Sequence, residues 1–358
     1  MNQKRIHQAK EVLTIAIVWM LLTFLYVYVK FNDIPDLYLA EIYHMKPGLS
    51  KADLYRISFF VSLPIGFVFA WLHTFVYPTI DRTQSLLFNI GIRLCIFFLI
   101  AVVVFYALSF MNNDGGEHGV EFSSTMVSGP VLNILIYTLL IENLIGVFIL
   151  LRRSLGINFF LNTITNTYRN PKEEERVMMF LDLENSTPMA EKLGHLTFSR
   201  CLQDCFLELS HVAIAHGGEI YQFVGDEAVI TWKVSGRFNY WKCVDLYFNY
   251  MKQLRAKETV FLQKYGCVPV FRCAIHAGVV STALVGDYKK EIAYHGEVLH
   301  LCSRLRSVCK EHDAHVLISG AFRASAAHVT QYISQSVPLL ELKGIKGPQV
   351  AYRIREGA

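Results

Sequence analysis

Three acidic residues interrupt apolar runs of the kind that form buried strands. Asp182 lies near the end of the run 177–183, and the stretch YQFVGDEAVITW places Asp226 and Glu227 directly after Gly225. Two apolar runs that are joined by a glycine corner predict a β-hairpin. Burying an unpaired carboxylate is costly, and a bound cation would offset that cost. An ordinary solvated turn is the alternative for the hairpin acids.

The elements between these acids suggest how two of them meet. An amphipathic helix is predicted over about 198–215, between the first run and the hairpin. If the hairpin lies beside the first strand, Asp182 and Asp226 converge, and two carboxylates holding Mg²⁺ beside a triphosphate are recurrent in phosphoryl chemistry. The turn ENSTPMAEKLG enters a helix, whose N-terminus with Ser186 and Thr187 would offer a seat for phosphate.

The composition separates the chain into an apolar first half and a more polar second half. The 358 residues are 53% hydrophobic and 18% charged, and nearly all the apolar excess precedes residue 152. A net charge of +4 without a Lys/Arg-rich tract argues against a nucleic-acid partner. The eight cysteines form no CxxC pair, so they indicate no zinc cluster and are consistent with reduced thiols in a cytosolic domain.

Four apolar stretches, at about 12–29, 57–77, 86–110 and 131–151, approach or exceed the ~20 residues of a membrane-spanning helix. Basic residues precede the first stretch and follow the last, whereas the segment MNNDGGEHGVEFSSTM contains no Lys or Arg. By the positive-inside rule, both termini and the second half face the cytoplasm. We therefore predict an integral membrane protein with four transmembrane helices over 1–151, a linker over 152–174 and a cytoplasmic domain over 175–358.

Two ionisable residues lie within these predicted spans at similar depths. Arg93 is near the cytoplasmic start of the third span, and Glu142 is near the cytoplasmic end of the fourth. Charged residues in membranes usually pair or face the interior of the helix bundle. We predict that the two residues contact each other; the alternative is that each meets water separately.

The second half resembles the catalytic domain of class III adenylate and guanylate cyclases over about 175–352. Five segments occur in the order of that family: FLDLENST, GGEIYQFVGDEAVITW, RCAIHAGVVSTALVG, IAYHGEVLHLCSRL and LKGIKGPQVAYRI. The resemblance implies an α/β domain in the ferredoxin-like style, with a mixed sheet flanked by helices. It also implies conversion of a nucleoside triphosphate to a 3′,5′-cyclic nucleotide and pyrophosphate.

The resemblance assigns roles to the acids of the hairpin and first strand. It implies that Asp182 and Asp226 hold two divalent cations, Mg²⁺ or Mn²⁺, with the carbonyl of Leu183 also facing a metal. Gly225 would allow the hairpin tip to approach the nucleotide.

The resemblance also implies phosphate contacts and a dimer. Arg304 matches an arginine that steadies the transferring phosphate, and Lys343 matches a lysine on the terminal phosphates. Family members form head-to-tail dimers in which one chain supplies the metal aspartates and the other supplies the arginine and base-reading residues. The single domain of this chain therefore implies a homodimer with two sites.

Three positions depart from the commonest family pattern. Gln222 replaces a lysine that reads adenine, and Ala293 replaces an Asp or Thr. The amide of Gln222 can donate and accept hydrogen bonds, but Ala293 can do neither. ATP is the expected substrate because it is the commoner one in the family, and GTP remains open. His300 replaces an asparagine that orients the ribose, so we expect slower turnover.

Three rival functions remain. A diguanylate cyclase has a related fold, but Val224 occupies the place of the first glycine of its hairpin motif. A pseudo-cyclase receptor that only binds nucleotide or a partner is favoured by His300 and Ala293. It is opposed by the retained pair Asp182 and Asp226. The third is a sensor whose membrane helices bind a lipid or a small ligand, which is compatible with an active or an inactive cyclase domain.

Overall fold

The computed structural model describes residues 2–36, 50–83, 86–112, 129–155, 162, 165–326, 331–338, 345 and 347–357. The chain divides into two compact units, Met1–Phe160 and Leu161–Ala358. The first unit is helical and the second has an α/β architecture, as predicted.

The described helices of the first unit are α1 (Asn2–Phe31), α2 (Lys51–Trp71), a π-helical turn (Leu72–Val76), α3 (Tyr77–Thr83), α4 (Leu86–Asn112) and α5 (Gly129–Leu155). Three described segments are long and apolar enough to cross a membrane: Gln8–Phe31, Lys51–Ile80 and Leu132–Arg152. These segments correspond to the first, second and fourth predicted spans. The third falls on α4, where the described apolar part, Phe88–Val104, is shorter, so that crossing stays a prediction.

Polar side chains meet inside the first unit. Nε2 of His73, in the π-helical turn, lies 2.9 Å from Oε1 of Glu142 on α5. The guanidinium of Arg93 lies over the Tyr77 ring, 4.5 Å from its centroid. A Cβ added to Gly146, one helical turn after Glu142, would lie 3.1 Å from Nη1 of Arg93. Arg93 therefore packs against the helix that carries Glu142, and the predicted Arg93–Glu142 contact stays a prediction.

The second unit contains one sheet formed by β1 (Lys172–Leu183), β2 (Glu219–Val224), β3 (Glu227–Lys233), β4 (Phe271–Val285), β5 (Glu291–His295), β6 (Val316–Ser319), β7 (Tyr332–Ser336) and β8 (Ala351–Glu356). The strand order is β2-β3-β1-β4-β6-β8-β7, and β5 also pairs with β4. The β4–β6 pair is parallel and the other pairs are antiparallel, which confirms the predicted mixed sheet.

Helices cover both faces of the central strands. The helices of this unit are α6 (Ser186–Leu193), α7 (His195–Ala215), α8 (Trp241–Ala256), α9 (Glu258–Tyr265), α10 (Glu297–Ser307) and α11 (Gly320–Ser325). One core cluster packs α7 and α8 against one face, and a second packs α10 against the other. The run 177–181 of β1 is consequently buried on both faces, and Asp182 is the first half-buried residue after it.

Candidate active site

The hairpin predicted around Gly225 is formed by β2 and β3, and it lies directly beside β1. The antiparallel register pairs Asp182 with Glu227, so these two carboxylates face each other across adjacent strands. Gly225 has φ of 62°, a left-handed conformation that side chains with a Cβ rarely adopt. The glycine therefore makes the sharp corner that holds Asp226 at the end of the hairpin, next to this pair.

A guanidinium group joins the facing carboxylates. Nη1 of Arg306, on α10, lies 3.2 Å from Oδ2 of Asp182, and Nη2 lies 2.8 Å from Oε2 of Glu227. The exposed fractions of the three side chains are 29% for Arg306, 27% for Asp182 and 15% for Glu227, so the ion pairs are only partly screened by water. Arg306 thus bridges β1 and β3 through its two terminal nitrogens, and we call this contact the fork of Arg306.

The site carries more negative charge than this arginine offsets. Burial raises the pKa of Asp182 to about 6, the guanidinium of Arg306 opposes that rise, and the charges of Asp226 and Glu227 add to it. The pKa of Glu227 is also raised, chiefly by burial, despite its contact with Arg306. A cation beside Asp182 and Asp226 would relieve this repulsion.

Carboxylate oxygens suit Mg²⁺ and Mn²⁺, so the residues present fit divalent cations. In the part of the chain that the structure describes, no group of three or more His, Cys, Asp or Glu side chains is arranged to hold a metal ion. Further oxygen ligands must therefore come from the backbone, such as Leu183, from water or from a bound phosphate.

The predicted phosphate seat follows β1 directly. Asn185 has φ of 56°, in the left-handed region, and α6 begins at the next residue. Ser186, half-buried, and Thr187, exposed, occupy the first turn of this helix. The first turn leaves backbone N–H groups without partners within the helix, so they can bind an anion.

The buried and exposed faces of α10 separate its two arginines. Its buried face consists of Val298, Leu301, Cys302 and Leu305. His300 and Arg304, four residues apart, share an exposed face. Of the arginines of α10, it is Arg306 that contacts Asp182 of the same chain, and Arg304 faces solvent.

The two predicted base-contacting residues lie on strands that approach each other. Gln222 is exposed on β2, and Ala293 is half-buried on β5 opposite Ala283. The rings of their neighbours, Tyr221 and Tyr294, are 4.8 Å apart. This contact brings the two strands together. Lys343, the predicted contact of the terminal phosphates, lies outside the described residues.

Arg306 and the inward position of Glu227 were not identified from the sequence. Residues 226 and 227 are adjacent, and adjacent residues of a strand alternate in direction, so a strand that included both would point Glu227 away from Asp226. In the structure, β3 begins at Glu227, which pairs with Asp182, and Asp226 belongs to the turn that precedes β3. Both acids therefore lie near Asp182. The available signal for Arg306 was its spacing: it follows Cys302, on the buried face of α10, by four residues, so it lies at the edge of that face and not on the exposed side.

The second half of the chain matches a known family of catalytic domains. A family model described as the adenylate and guanylate cyclase catalytic domain matches residues 169–356. Adenylate cyclase 2 of Rhizobium meliloti (strain 1021) is 32% identical over 226 residues, which are 63% of this chain and 62% of that protein. The chain therefore spans somewhat less than two thirds of that relative's length.

Two solved structures extend the comparison. A bacterial light-regulated adenylyl cyclase has a similar fold, with a TM-score of 0.52 and 13% identity over 64% of this chain and 67% of that chain. The adenylyl cyclase CyaB from P. aeruginosa matches with a TM-score of 0.48 and 19% identity over 53% of this chain and 97% of that chain.

Proposed function

The chain belongs to the adenylate and guanylate cyclase catalytic-domain family, and we propose that it converts ATP to 3′,5′-cyclic AMP and pyrophosphate as a membrane-bound homodimer. The observation that carries the proposal is the convergence of Asp182 and Asp226 beside a helix N-terminus that can bind phosphate. The resemblance to the Rhizobium relative, named an adenylate cyclase, supports ATP over GTP.

In this proposal, Asp182, Asp226 and the carbonyl of Leu183 hold two divalent cations, Mg²⁺ or Mn²⁺. Bound there, the cations would lower the pKa of the ribose 3′ hydroxyl and neutralise the leaving phosphates. The 3′ oxygen forms a bond to the α-phosphorus, the bond from that phosphorus to the bridging oxygen breaks, and the hydroxyl proton leaves to solvent.

Other residues of the chain bind and orient the nucleotide. Ser186 and Thr187 present the N-terminus of α6 to the phosphates, and Gly225 keeps the hairpin tip free of a side chain. Lys343 would bind the terminal phosphates. The amide of Gln222 contacts the base, and Ala293, which makes no hydrogen bond through its side chain, leaves room beside it.

Arg304 and His300 are proposed to act on the site of a second copy of the chain. Both are exposed, and in their own chain the fork of Arg306 lies against Asp182. In the dimer, Arg304 would offset negative charge on the α-phosphoryl group, and His300 would hydrogen-bond the ribose. Loss of such a donor costs about 2.7–4 kcal/mol of transition-state stabilisation.

Exposed apolar side chains support the dimer. Phe223 and Val224 lie at the end of β2, and Val279 and Val285 lie on β4; all four are exposed. Exposed apolar residues at the end of β2 and along β4 are the kind of surface that an association of two copies would bury.

The membrane anchor is the remaining part of the proposal. We propose that four helices cross the bilayer within 1–151, that 152–174 links them to the catalytic domain at 175–358, and that this domain and both termini are cytoplasmic. The basic flanks of the first and last spans support the orientation.

Complementation between two inactive variants tests the dimeric site. Full-length Asp182→Ala and Arg304→Ala should each lack activity with ATP and Mg²⁺ or Mn²⁺. A heterodimer of the two contains one site with a wild-type aspartate from one chain and a wild-type arginine from the other. Co-expression should therefore restore about a quarter of wild-type activity, since half of random dimers are mixed and each has one working site of two.

The outcomes separate the alternatives. Recovery with GTP but not ATP would make the protein a guanylate cyclase. Full activity of the Arg304→Ala variant alone would refute the shared site. A wild-type protein that binds ATP without forming product would support the pseudo-cyclase receptor instead.

A further inference from the structure

The fork of Arg306 lies on the carboxylate that the proposed function assigns to the cations. Its Nη1 lies 3.2 Å from Oδ2 of Asp182, and its Nη2 lies 2.8 Å from Oε2 of Glu227. Contacts between a guanidinium and a carboxylate are charge-assisted and stronger than contacts between neutral groups. The contact holds three partly buried groups from β1, β3 and α10 together.

A divalent cation and a guanidinium cannot both use the same carboxylate oxygen at full strength. Two positive charges near Asp182 repel each other, and the site is only partly screened by water. Binding of a cation to Oδ2 of Asp182 therefore requires Arg306 to loosen that contact. The guanidinium can lose its contact with Asp182 and still keep its ion pair with Glu227.

We propose that Arg306 is a resident competitor of the cations: it neutralises Asp182 before a cation binds, sets the cation concentration at which the enzyme loads, and keeps only its contact with Glu227 once the cation is bound. This inference rests on the proposed function. The geometry distinguishes Arg306 from Arg304, because Arg304 is exposed on another face of the same helix.

The positions of Arg306, Asp182 and Glu227 in the fold allow the arginine to release one carboxylate while it keeps the other. Asp182 and Glu227 face each other on paired strands, so the guanidinium can keep one partner while it releases the other. The two contacts use different nitrogens of one guanidinium, Nη1 for Asp182 and Nη2 for Glu227, so the release of one does not require the release of the other.

Direct measurement of cation binding tests the proposal without relying on turnover. Full-length protein in detergent micelles, without nucleotide, is titrated with Mn²⁺, and free Mn²⁺ is read from its electron paramagnetic resonance signal. Arg306→Gln should tighten Mn²⁺ binding by about tenfold, the effect expected for loss of one nearby opposing charge. Arg306→Lys keeps the positive charge but loses the planar guanidinium, so its Mn²⁺ affinity should lie between those of the wild type and of Arg306→Gln.

Three controls make the result specific. Lys310→Gln removes an exposed positive charge near the end of the same helix and should leave Mn²⁺ binding unchanged. Asp182→Asn should abolish the high-affinity Mn²⁺ site in both the wild-type and the Arg306→Gln background. Size-exclusion profiles and unfolding temperatures establish that each variant is folded.

The outcomes also separate this inference from the proposed function. If Asp182→Asn binds Mn²⁺ as the wild type does, the proposed metal site is wrong. If binding depends on Asp182 but Arg306→Gln leaves it unchanged or weakens it, then the competitor role is wrong, and weakening would make Arg306 a positioning residue. Cyclase assays give a second readout: Arg306→Gln should need about tenfold less Mg²⁺ for half-maximal activity.

Discussion

Asp182→Asn should stabilise the catalytic unit above neutral pH, although it removes a proposed metal ligand. The pKa of Asp182 is raised from 3.8 to about 6, mainly by burial. Since the folded pKa lies above the unfolded value, the ionised carboxylate destabilises the fold at pH 8, and this cost disappears below the unfolded value. A difference of about two pKa units corresponds to ~3 kcal/mol of unfolding free energy.

The expected gain for Asp182→Asn is therefore up to ~3 kcal/mol at pH 8 and less than ~1 kcal/mol at pH 4. The asparagine keeps the shape of the side chain, and its Oδ1 can still accept a hydrogen bond from Arg306. The gain would be measured by urea unfolding in the presence of a chelator. Tryptophan fluorescence would report it in a background in which Trp19 and Trp71 are replaced by Phe, so that Trp232 and Trp241 report on the catalytic unit.

Asp287→Asn is the matched control, because it makes the same change at an exposed position between β4 and β5. Exposed substitutions usually change stability by no more than about 0.5 kcal/mol. A lower stability of Asp182→Asn at pH 8, or a gain that does not vary between pH 8 and pH 4, would refute the argument from burial. Added Mg²⁺ should stabilise the wild type and not the variant.

Three further variants probe the frame of the site. His300→Asn should raise turnover while Mn²⁺ binding stays unchanged, and lower turnover in a folded variant would contradict the assigned ribose contact. Gly225→Ala should cost about 1–2 kcal/mol of stability, because φ is 62° and the added Cβ meets open space, so backbone strain alone acts. Gly278→Ala should cost about 1–3 kcal/mol for a different reason, since its Cβ would lie 2.8 Å from Cγ2 of Val298. Chemical unfolding measures both, and a shift of α10 in the last variant should also lower activity.

The apolar patterns of the sequence predict the elements that carry the site well. The predicted helix 198–215 corresponds to α7, and the predicted hairpin corresponds to β2 and β3. Residue spacing sufficed there because α7 buries one continuous face, and because β3 is a buried apolar run that follows a glycine corner. His276 of β4, which is not among the predicted site residues, is buried, and its Nδ1 lies 2.7 Å from Oγ of Ser319.

Contacts between distant elements could not be predicted in the same way. The ion pairs of Arg306 depend on the β1–β3 register and on the rotation of α10, and a residue count along the chain defines neither. The partner of Glu142 shows the same limit. The apolar pattern of 72–76 does not predict a π-helical turn, yet this turn carries His73, whose Nε2 lies 2.9 Å from Oε1 of Glu142.

The π-helical turn has a consequence for how the second span tolerates insertions and deletions. A π-helical turn contains about one residue more than an α-helical turn, so the helix beyond Val76 is rotated by roughly 100° relative to an unbroken α-helix. Deleting one residue within Leu72–Val76 would leave the span long and apolar, yet it would turn Tyr77 away from Arg93 or His73 away from Glu142. Hydropathy profiles would not register the change, so the length of this segment is constrained by register rather than by membrane thickness.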